Sequence, residues 1–376
     1  MPPLSLMIKP VSGSCNMACR YCFYRDVSAR RKHENYGTMS DETLECLIRR
    51  AFAYADGQVS FAFQGGEPTL AGLPFFQRLI ALQAKYNTRS LTVHNAIQTN
   101  GFAIDEEWAS FLSKHRFLVG VSLDGTQALH DRNRVDQSGK ETYAHVMNNL
   151  GILHKHKVDF NILCVVTNDA AMSTKEIFEQ LKGFGYLQFI PCIDAFENEG
   201  AQMLSAQAYG EFLMTCFDLY EQALYQGKYV SVRNFDNYIS RLLGYTPEMC
   251  GMNGTCSRNY LVEADGSVYP CDFYVLDQWS MGNVNTDNFL RLSKSLIGKQ
   301  FVEESKHMHK SCFQCQWFFL CRGGCKRDCE IAGGNGRGLN RFCEGFQTFF
   351  EHKADRMLKL AKMFANDQMH PKVEQK

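Results

Sequence analysis

Neither sign of charge predominates in this chain of 376 residues, where 40 Lys and Arg stand against 40 Asp and Glu. That balance leaves no global basic footprint for nucleic acid and no polybasic membrane anchor. No run of about 18 apolar residues is present to cross a bilayer. The opening "MPPLSLMIKPVSG" also lacks the basic and long apolar regions of a signal peptide. A cytoplasmic protein is expected, with neither nucleic acid nor membrane as partner. No internal repeat or long low-complexity linker interrupts the sequence, whose length allows one large α/β barrel or two domains of unequal size.

What the chain does have is cysteine, sixteen in all. In a reducing compartment a disulfide framework is not expected. The distribution is uneven, with three at 15 to 22 and nine between 250 and 343, and metal clusters are the leading explanation. Cys46, Cys164, Cys192 and Cys216 occur singly in apolar or helical contexts and read as small buried hydrophobes. The stretch "SGSCNMACRYCFY" sets Cys15, Cys19 and Cys22 in a C-x3-C-x2-C pattern without a fourth thiol beside them. A four-iron cube normally takes four thiolates, so three leave one iron open, and the missing ligand marks the reactive position. A structural zinc, or a cluster completed by a distant cysteine, is the reading a bare three-thiol loop leaves open.

Six short β-rich runs, "LSLMIKP", "VSFAFQ", "LTVHNAIQ", "FLVGVSL", "DFNILCVV" and "LQFIP", alternate with segments of helical periodicity up to residue 191. In "DETLECLIRRAFAYA", Leu44, Leu47, Ile48 and Ala51 recur at i, i+3, i+4 and i+7, one buried helix face. This alternation predicts a parallel sheet with helical crossovers, open or curled into part of a barrel, with function at the strands' C-terminal ends. The cysteine loop, "QGGEP", "QTNG" and "SLDG" occupy the ends of strands one to four. Four loops scattered in sequence thus converge on one face. Near residue 230 the alternation gives way to a Cys- and Gly-rich region, within which "EADGSVYPCDFY" reads as a β-hairpin turning at Asp265 and Gly266. "EGFQTFFEHKADRMLKLAKMFA" is expected to pack as a final helix. "GGNGRG" at 333 to 338 lacks the Lys-Ser/Thr of a phosphate loop and reads as a connector.

"CNMACRYCFY" together with "FQGGEPTL" resembles the radical S-adenosylmethionine superfamily. The resemblance implies a partial (β/α)6 TIM-like barrel, an S-adenosylmethionine chelated to the open iron, and its reductive cleavage to a 5'-deoxyadenosyl radical. Gly65 and Gly66 would let bare backbone approach the methionine ammonium, with Glu67 adding anionic character and Pro68 fixing the exit. By the same resemblance Tyr21, Gly66, Ser122, Arg134 and Ile193 fall where the family contacts the cofactor. Their plainer readings are packing for Tyr21, a solvated charge for Arg134 and a core position for Ile193.

The later cysteines resemble the SPASM extension of radical peptide maturases, which carries two auxiliary 4Fe-4S clusters. The family's pattern implies Cys250, Cys256, Cys271 and Cys325 for one cluster and Cys312, Cys315, Cys321 and Cys343 for the other. With Cys15, Cys19 and Cys22 this makes three 4Fe-4S clusters. Cys329 could compete with Cys325. Only one C-x2-C knuckle occurs in this run, which disfavours a zinc ribbon, and His307 and His309 read as surface residues. Division into a barrel at 1–230, a SPASM domain at 231–350 and a C-terminal helix and tail at 351–376 follows.

"FAFQGGEPTLAG", "CGMNGTC" and "DGSVYPCDFYVLD" look like anaerobic sulfatase-maturating enzymes, a likeness that spans residues 1 to about 350. That family oxidises one Cys or Ser of a sulfatase polypeptide to Cα-formylglycine. Asp272, directly after Cys271, matches its proton acceptor; as a plain turn residue it would merely cap the hairpin. Gln64 would orient bound peptide or satisfy a strand end. Expected partners are an unfolded or nascent sulfatase polypeptide and a low-potential electron donor such as flavodoxin or ferredoxin. The alternatives are a SPASM-type maturase that crosslinks or otherwise modifies another ribosomal peptide and, in another class, a non-catalytic zinc-stabilised binding protein. The chain opens directly on the first strand, which leaves no expected room for the extra recognition domain such peptide maturases often carry.

Overall fold

The computed structural model describes residues 2–196, 203–331 and 338–366. The "GGNGRG" connector, up to its last residue, and the tail beyond 366 lie outside the described residues. All six predicted strands are present: β1 Leu4–Ile8, β2 Gln58–Phe63, β3 Thr92–Thr99, β4 Leu118–Ser122, β5 Phe160–Val166 and β6 Tyr186–Pro191. Four short ones follow, β7 Ser231–Val232, β8 Tyr260–Val262, β9 Ser267–Tyr269 and β10 Gly282–Asn283. The chain forms two compact units, each discontinuous in sequence. One comprises 1–122, 131–160 and 257–302, the other 123–130, 161–256 and 303–376.

In the first unit β1, β2, β3 and β4 pair in parallel, each with the next. Parallel strands place all their carboxyl ends at one edge, and the loops after them collect there. Inward positions alternate along the strands, with Leu4, Leu6 and Ile8 of β1 and Val59, Phe61 and Phe63 of β2 all buried. The helix Asp41–Tyr54 buries Leu44, Leu47, Ile48 and Ala51, the face its periodicity predicts. Ser40 caps it, its Oγ accepting from the Thr43 amide at 3.2 Å. Phe76, from the helix Gly72–Tyr86, meets Phe63 and Trp108 edge-on at 5.1 and 5.3 Å. Burying such a ring contributes roughly 1.5–3 kcal/mol.

The predicted hairpin is β8–β9, antiparallel, with Gly266 at φ 87° in the turn. Its strand β8 also pairs in parallel with β1, and β10 extends the far side. The order in this unit is therefore β10-β9-β8-β1-β2-β3-β4. A hairpin from late in the sequence is thus hydrogen-bonded to the first strand.

In the second unit β5, β6 and β7 run parallel. The final helix forms as expected, over Cys343–Ala365, and packs on the helix Ala206–Tyr225. Lys353 and Arg356 reach Asp218 at 2.7 and 2.6 Å, and Arg356 also binds Glu221. Cys164, Cys192 and Cys216 are buried, as their contexts predict, whereas Cys46 is partly exposed.

Asp236 accepts from Tyr220 Oη at 2.9 Å and Ser231 Oγ at 2.5 Å, yet burial pushes its pKa from 3.8 up to about 6. An acid whose folded pKa exceeds its unfolded one costs stability above the folded value, and the cost fades as it protonates. Lowering the pH from 7 to 5 is therefore expected to relieve this site, and Asp236→Asn to remove that part of the slope. Anaerobic thermal melts of both proteins across the window check it; identical slopes would refute it.

Candidate active site

The loop after β1 carries Cys15, Cys19 and Cys22, all partly exposed. No disulfide joins any of the sixteen cysteines. The loop is laced to the segment at 133–137, with the Ala18 and Arg20 amides donating to Val135 and Asn133 oxygens at 2.8 and 2.9 Å. Gln137 Nε2 donates to the Cys15 and Met17 carbonyls, both at 3.0 Å. Burial pushes the Cys15 thiol up to about 12, and the neighbouring Glu67, Cys19 and Cys22 add to the shift. Three thiols this close repel one another as thiolates, and a cationic iron cluster removes that penalty.

Arg134 comes with the lacing. It is buried, with its Nη1 3.9 Å from Cys19 Sγ and its guanidinium 5.3 Å from the Tyr21 ring centroid. The solvated-charge reading of Arg134 does not hold. Ser122, at the end of β4, accepts from Gln98 Nε2 at 3.3 Å. Ile193 is a partly buried residue just past β6 in the second unit.

The "GGEP" turn is shaped by packing within the protein as well. At Gly66, φ 53°, a Cβ would lie 2.2 Å from the Ser14 carbonyl oxygen; at Gly65, φ 82°, it would strike the Lys9 stem at 2.5 Å. Both glycines are needed for packing within the protein. The Glu67 amide donates to that same Ser14 oxygen at 2.8 Å, so the turn holds the cysteine loop. The Glu67 carboxylate accepts from Thr69 N, Thr69 Oγ1, Thr99 Oγ1 and Asn100 N at 3.1, 2.7, 2.8 and 2.7 Å. Glu67 thus ties the loops after β2 and β3 together. Glu67→Gln points an amide donor at the backbone amide of Thr69 or of Asn100, whichever way it turns, and should cost about 2 kcal/mol. A melting temperature equal to the parent's would rule out this role.

Asp272 sits one residue past Cys271, beyond β9. Its Oδ2 accepts from Tyr24 Oη at 2.6 Å and Gln64 Nε2 at 2.8 Å. The residue keeps some exposed surface, but Oδ1 is sealed from solvent and has no hydrogen-bond partner. Burial pushes the Asp272 pKa up; Lys9 and the two hydrogen bonds pull it back, while Glu263 adds to the rise. Lys9 Nζ, itself buried, lies 3.4 Å from Glu263 Oε2 and 4.9 Å from the Tyr24 ring centroid. Arg31 Nη1 binds the same Glu263 oxygen at 2.6 Å. This is a carboxylate with one oxygen fixed by two donors and the other enclosed without one.

Sequence reasoning missed Tyr24 and Lys9 and left Gln64 out of the catalytic set. Tyr24 stands in "CRYCFY", two residues past Cys22, but nothing in the spacing connects it to a position 248 residues on.

In the second unit, Cys321 and Cys343 are each pushed up to about 11 by burial, with Cys312, Cys315 and Cys329 adding to both. Cys312, Cys315, Cys321 and Cys343 are therefore neighbours. Cys329 is buried beside them, its thiol directed to the Gly323 carbonyl at 3.4 Å. Cys250 is exposed, Cys256 and Cys325 are partly so, and the chain at Gly251 passes against the Cys325 amide. Cys271 belongs to the first unit. His307 and His309 are exposed, as expected. Among the described residues, no three His, Cys, Asp or Glu side chains converge as ligands of a single metal ion would. A four-iron cube is a wider object, whose thiolates stand farther apart.

Comparison with known proteins identifies the family. The Radical SAM superfamily model matches residues 10–181, and the SPASM model, an iron-sulfur cluster-binding domain, matches 250–316. A cysteine-type anaerobic sulfatase-maturating enzyme of Clostridium perfringens (strain 13 / Type A) is 44% identical over 96% of this chain and 99% of its own length. A serine-type counterpart from Klebsiella aerogenes is 33% identical over 93% of this chain and 84% of its own. A solved structure described as native anSMEcpe with bound AdoMet and Cp18Cys peptide superposes with a TM-score of 0.92, at 43% identity, covering 96% of this chain and 100% of that one. With a cysteine loop held by a "GGEP" turn, a cysteine-rich extension, and likeness to these relatives along nearly its whole length, the chain belongs to the anaerobic sulfatase-maturating enzymes of the radical S-adenosylmethionine superfamily.

Proposed function

We propose that this enzyme oxidises a cysteine of an unfolded or nascent sulfatase polypeptide to Cα-formylglycine. Greater identity to the cysteine-type than to the serine-type relative, 44% against 33%, supports the thiol substrate. Iron-sulfur clusters and S-adenosylmethionine are the cofactors of its superfamily and its extension. We assign three 4Fe-4S clusters: one on Cys15, Cys19 and Cys22, one on Cys250, Cys256, Cys271 and Cys325, and one on Cys312, Cys315, Cys321 and Cys343. The free-thiol chemistry of these residues fits that role. Cys325 is preferred because Cys329 is buried and turned toward Gly323. S-adenosylmethionine would be held by Tyr21, Gly66, Ser122, Arg134 and Ile193. Functionally the chain divides into a barrel at 1–230, a SPASM domain at 231–350 and a terminal helix and tail at 351–376.

A cluster held by Cys15, Cys19 and Cys22 with S-adenosylmethionine beside it, given one electron by a low-potential donor such as flavodoxin or ferredoxin, would supply the radical chemistry that takes a hydrogen atom from the substrate Cβ. What this chain's residues contribute is proton management. Tyr24 and Gln64 fix Asp272 Oδ2 and leave Oδ1 to take the thiol proton. Loss of that proton and one further electron leaves a thioaldehyde, which water converts to the aldehyde. Burial raises the Asp272 pKa, which strengthens the carboxylate as a proton acceptor. The half-held carboxylate of Asp272 is the observation that carries the reading.

Anaerobic turnover with dithionite, S-adenosylmethionine and peptides bearing Cys-x-Pro-x-Arg or Ser-x-Pro-x-Arg, followed by mass spectrometry, tests it. Formylglycine from the cysteine peptide is expected. If 5'-deoxyadenosine forms with neither peptide changed, the substrate assignment fails.

A further inference from the structure

Three segments of the first unit meet on a single buried oxygen. Glu263 directly follows β8 and Lys9 directly follows β1, while Arg31 lies just past the helix Phe23–Ala29. Arg31 Nη1 donates to Glu263 Oε2 at 2.6 Å, and Lys9 Nζ stands 3.4 Å from the same oxygen, with all three side chains buried. The Ala264 amide donates to Glu263 Oε1 at 3.0 Å. Arg31 is fixed in turn by the Glu34 carbonyl and lies 5.4 Å from the Tyr36 ring centroid. A buried ion cluster is a weak source of stability, since apolar residues of similar volume would fill the core as well or better. Two cations and an anion kept at this depth point instead to a role in geometry.

The cluster spans the parts that hold Asp272. Tyr24 stands on the helix Phe23–Ala29, upstream of Arg31, and Asp272 lies beyond β9, on the other arm of the hairpin from Glu263. Lys9 joins the two, its ammonium 4.9 Å from the Tyr24 ring centroid and its backbone amide donating to the Val262 oxygen at 2.9 Å. Phe23 and Phe273, the neighbours of Tyr24 and Asp272, also meet edge-on at 4.9 Å. Apolar rings tolerate sliding, whereas the planar fork of an arginine on a carboxylate fixes direction. Tyr24 and Gln64 aim the Asp272 carboxylate, so a shift of the Tyr24 helix against the hairpin would turn Oδ1 with it.

We infer that Glu263, through Lys9 and Arg31, is a positioning residue for the oxidation: it locks the helix bearing Tyr24 against the hairpin bearing Asp272 and thereby aims Asp272 Oδ1. The inference rests on the proposed role of Asp272 as the base. No proton or electron passes through the triad. The thiol S–H bond breaks and the Asp272 O–H bond forms as proposed above, and the triad acts only on the distance and angle between them. Misplacing a reacting group by about 1 Å can cost about a hundredfold in rate, so a loosened triad should cost a measurable part of that.

The test uses the full-length, cluster-loaded protein under anaerobic conditions with dithionite, S-adenosylmethionine and the Cys-x-Pro-x-Arg peptide. Iron content is measured first, and the ratio of formylglycine to 5'-deoxyadenosine is then read by mass spectrometry. Glu263→Gln leaves Lys9 and Arg31 without their anion and is expected to lower the ratio about tenfold. Lys9→Met keeps the apolar stem and the Arg31–Glu263 pair, so it carries the test even where Glu263→Gln fails to fold; its ratio should fall about threefold. In an Asp272→Asn background Lys9→Met should leave the ratio where Asp272→Asn alone puts it, because no base remains to be aimed. A triad that merely supports the fold would lower iron content and both products together and keep the parent's ratio. That result overturns the inference, as does a parental ratio in Lys9→Met or in folded Glu263→Gln. A further fall from Lys9→Met in the Asp272→Asn background also overturns it, by showing an effect that bypasses the base. Failure of the underlying reading is separately visible: Asp272→Asn would itself keep the parent's ratio, and the inference would fall with it.

Discussion

Replacing Asp272 with Asn leaves S-adenosylmethionine cleavage close to the parent level while formylglycine falls by about a hundredfold or more. The separation follows from where the residue acts. Asp272 is held by Tyr24 and Gln64, both outside Cys15–Cys22, so the amide should not disturb formation of 5'-deoxyadenosine. An amide of nearly the same shape keeps the neighbouring hydrogen bonds within reach, but its oxygen is a far weaker proton acceptor than a carboxylate. The substrate radical would then form without a partner for its thiol proton. The ratio of formylglycine to 5'-deoxyadenosine, read by mass spectrometry from one anaerobic reaction, reports the effect without relying on absolute activity. A ratio equal to the parent's removes Asp272 as the base. Tyr24→Phe gives a graded comparison. It frees Oδ2 from one donor while leaving the carboxylate in place, and its ratio should fall between those of the parent and Asp272→Asn.

Gly66→Ala should have the opposite signature, with both products lost together. The new Cβ would stand 2.2 Å from the Ser14 carbonyl oxygen, and φ 53° is a conformation that alanine resists. Backbone cannot swing aside as a side chain can. Relief therefore requires moving Ser14, the residue directly before Cys15, and breaking the 2.8 Å bond from the Glu67 amide to the Ser14 oxygen. Strain and overlap together amount to on the order of 3 kcal/mol. Because the displaced segment carries the first thiol, iron content after reconstitution should drop, and with it 5'-deoxyadenosine. An alanine variant that loads iron and cleaves S-adenosylmethionine like the parent would show that the loop tolerates the shift. Gly65→Ala is the informative control. The atoms nearest its Cβ belong to the Lys9 side chain, so it should disturb the surroundings of Asp272 more than the cysteine loop.

The contrast between these glycines shows what kind of information the motif holds. "QGGEP" was legible as a marker of function after β2, and its position is as expected. What the structure adds is that these glycines make room for Ser14 and Lys9, and that Glu67 is consumed by four internal donors. Motif letters locate a site well because the pattern is local. The contact that explains each letter is often made by a residue many positions away.

The strands and the buried face of Asp41–Tyr54 were determined by the sequence itself, because alternation with period 2 and recurrence at i, i+3, i+4 and i+7 are properties of neighbouring residues. The cysteine loop was equally local, as were the turn at Asp265 and Gly266 and the final helix. Only the tertiary structure decided that β8, some 250 residues after β1, would pair with it in parallel. That single pairing brings Asp272 to Tyr24, Gln64 and Lys9 near the end of the first strand. No periodicity announces it, since strand pairing over such a separation depends on the summed burial and hydrogen bonding of the whole sheet. Arg134 became a buried neighbour of Tyr21 and Cys19 for the same reason, carried there by backbone bonds between two segments more than a hundred residues apart.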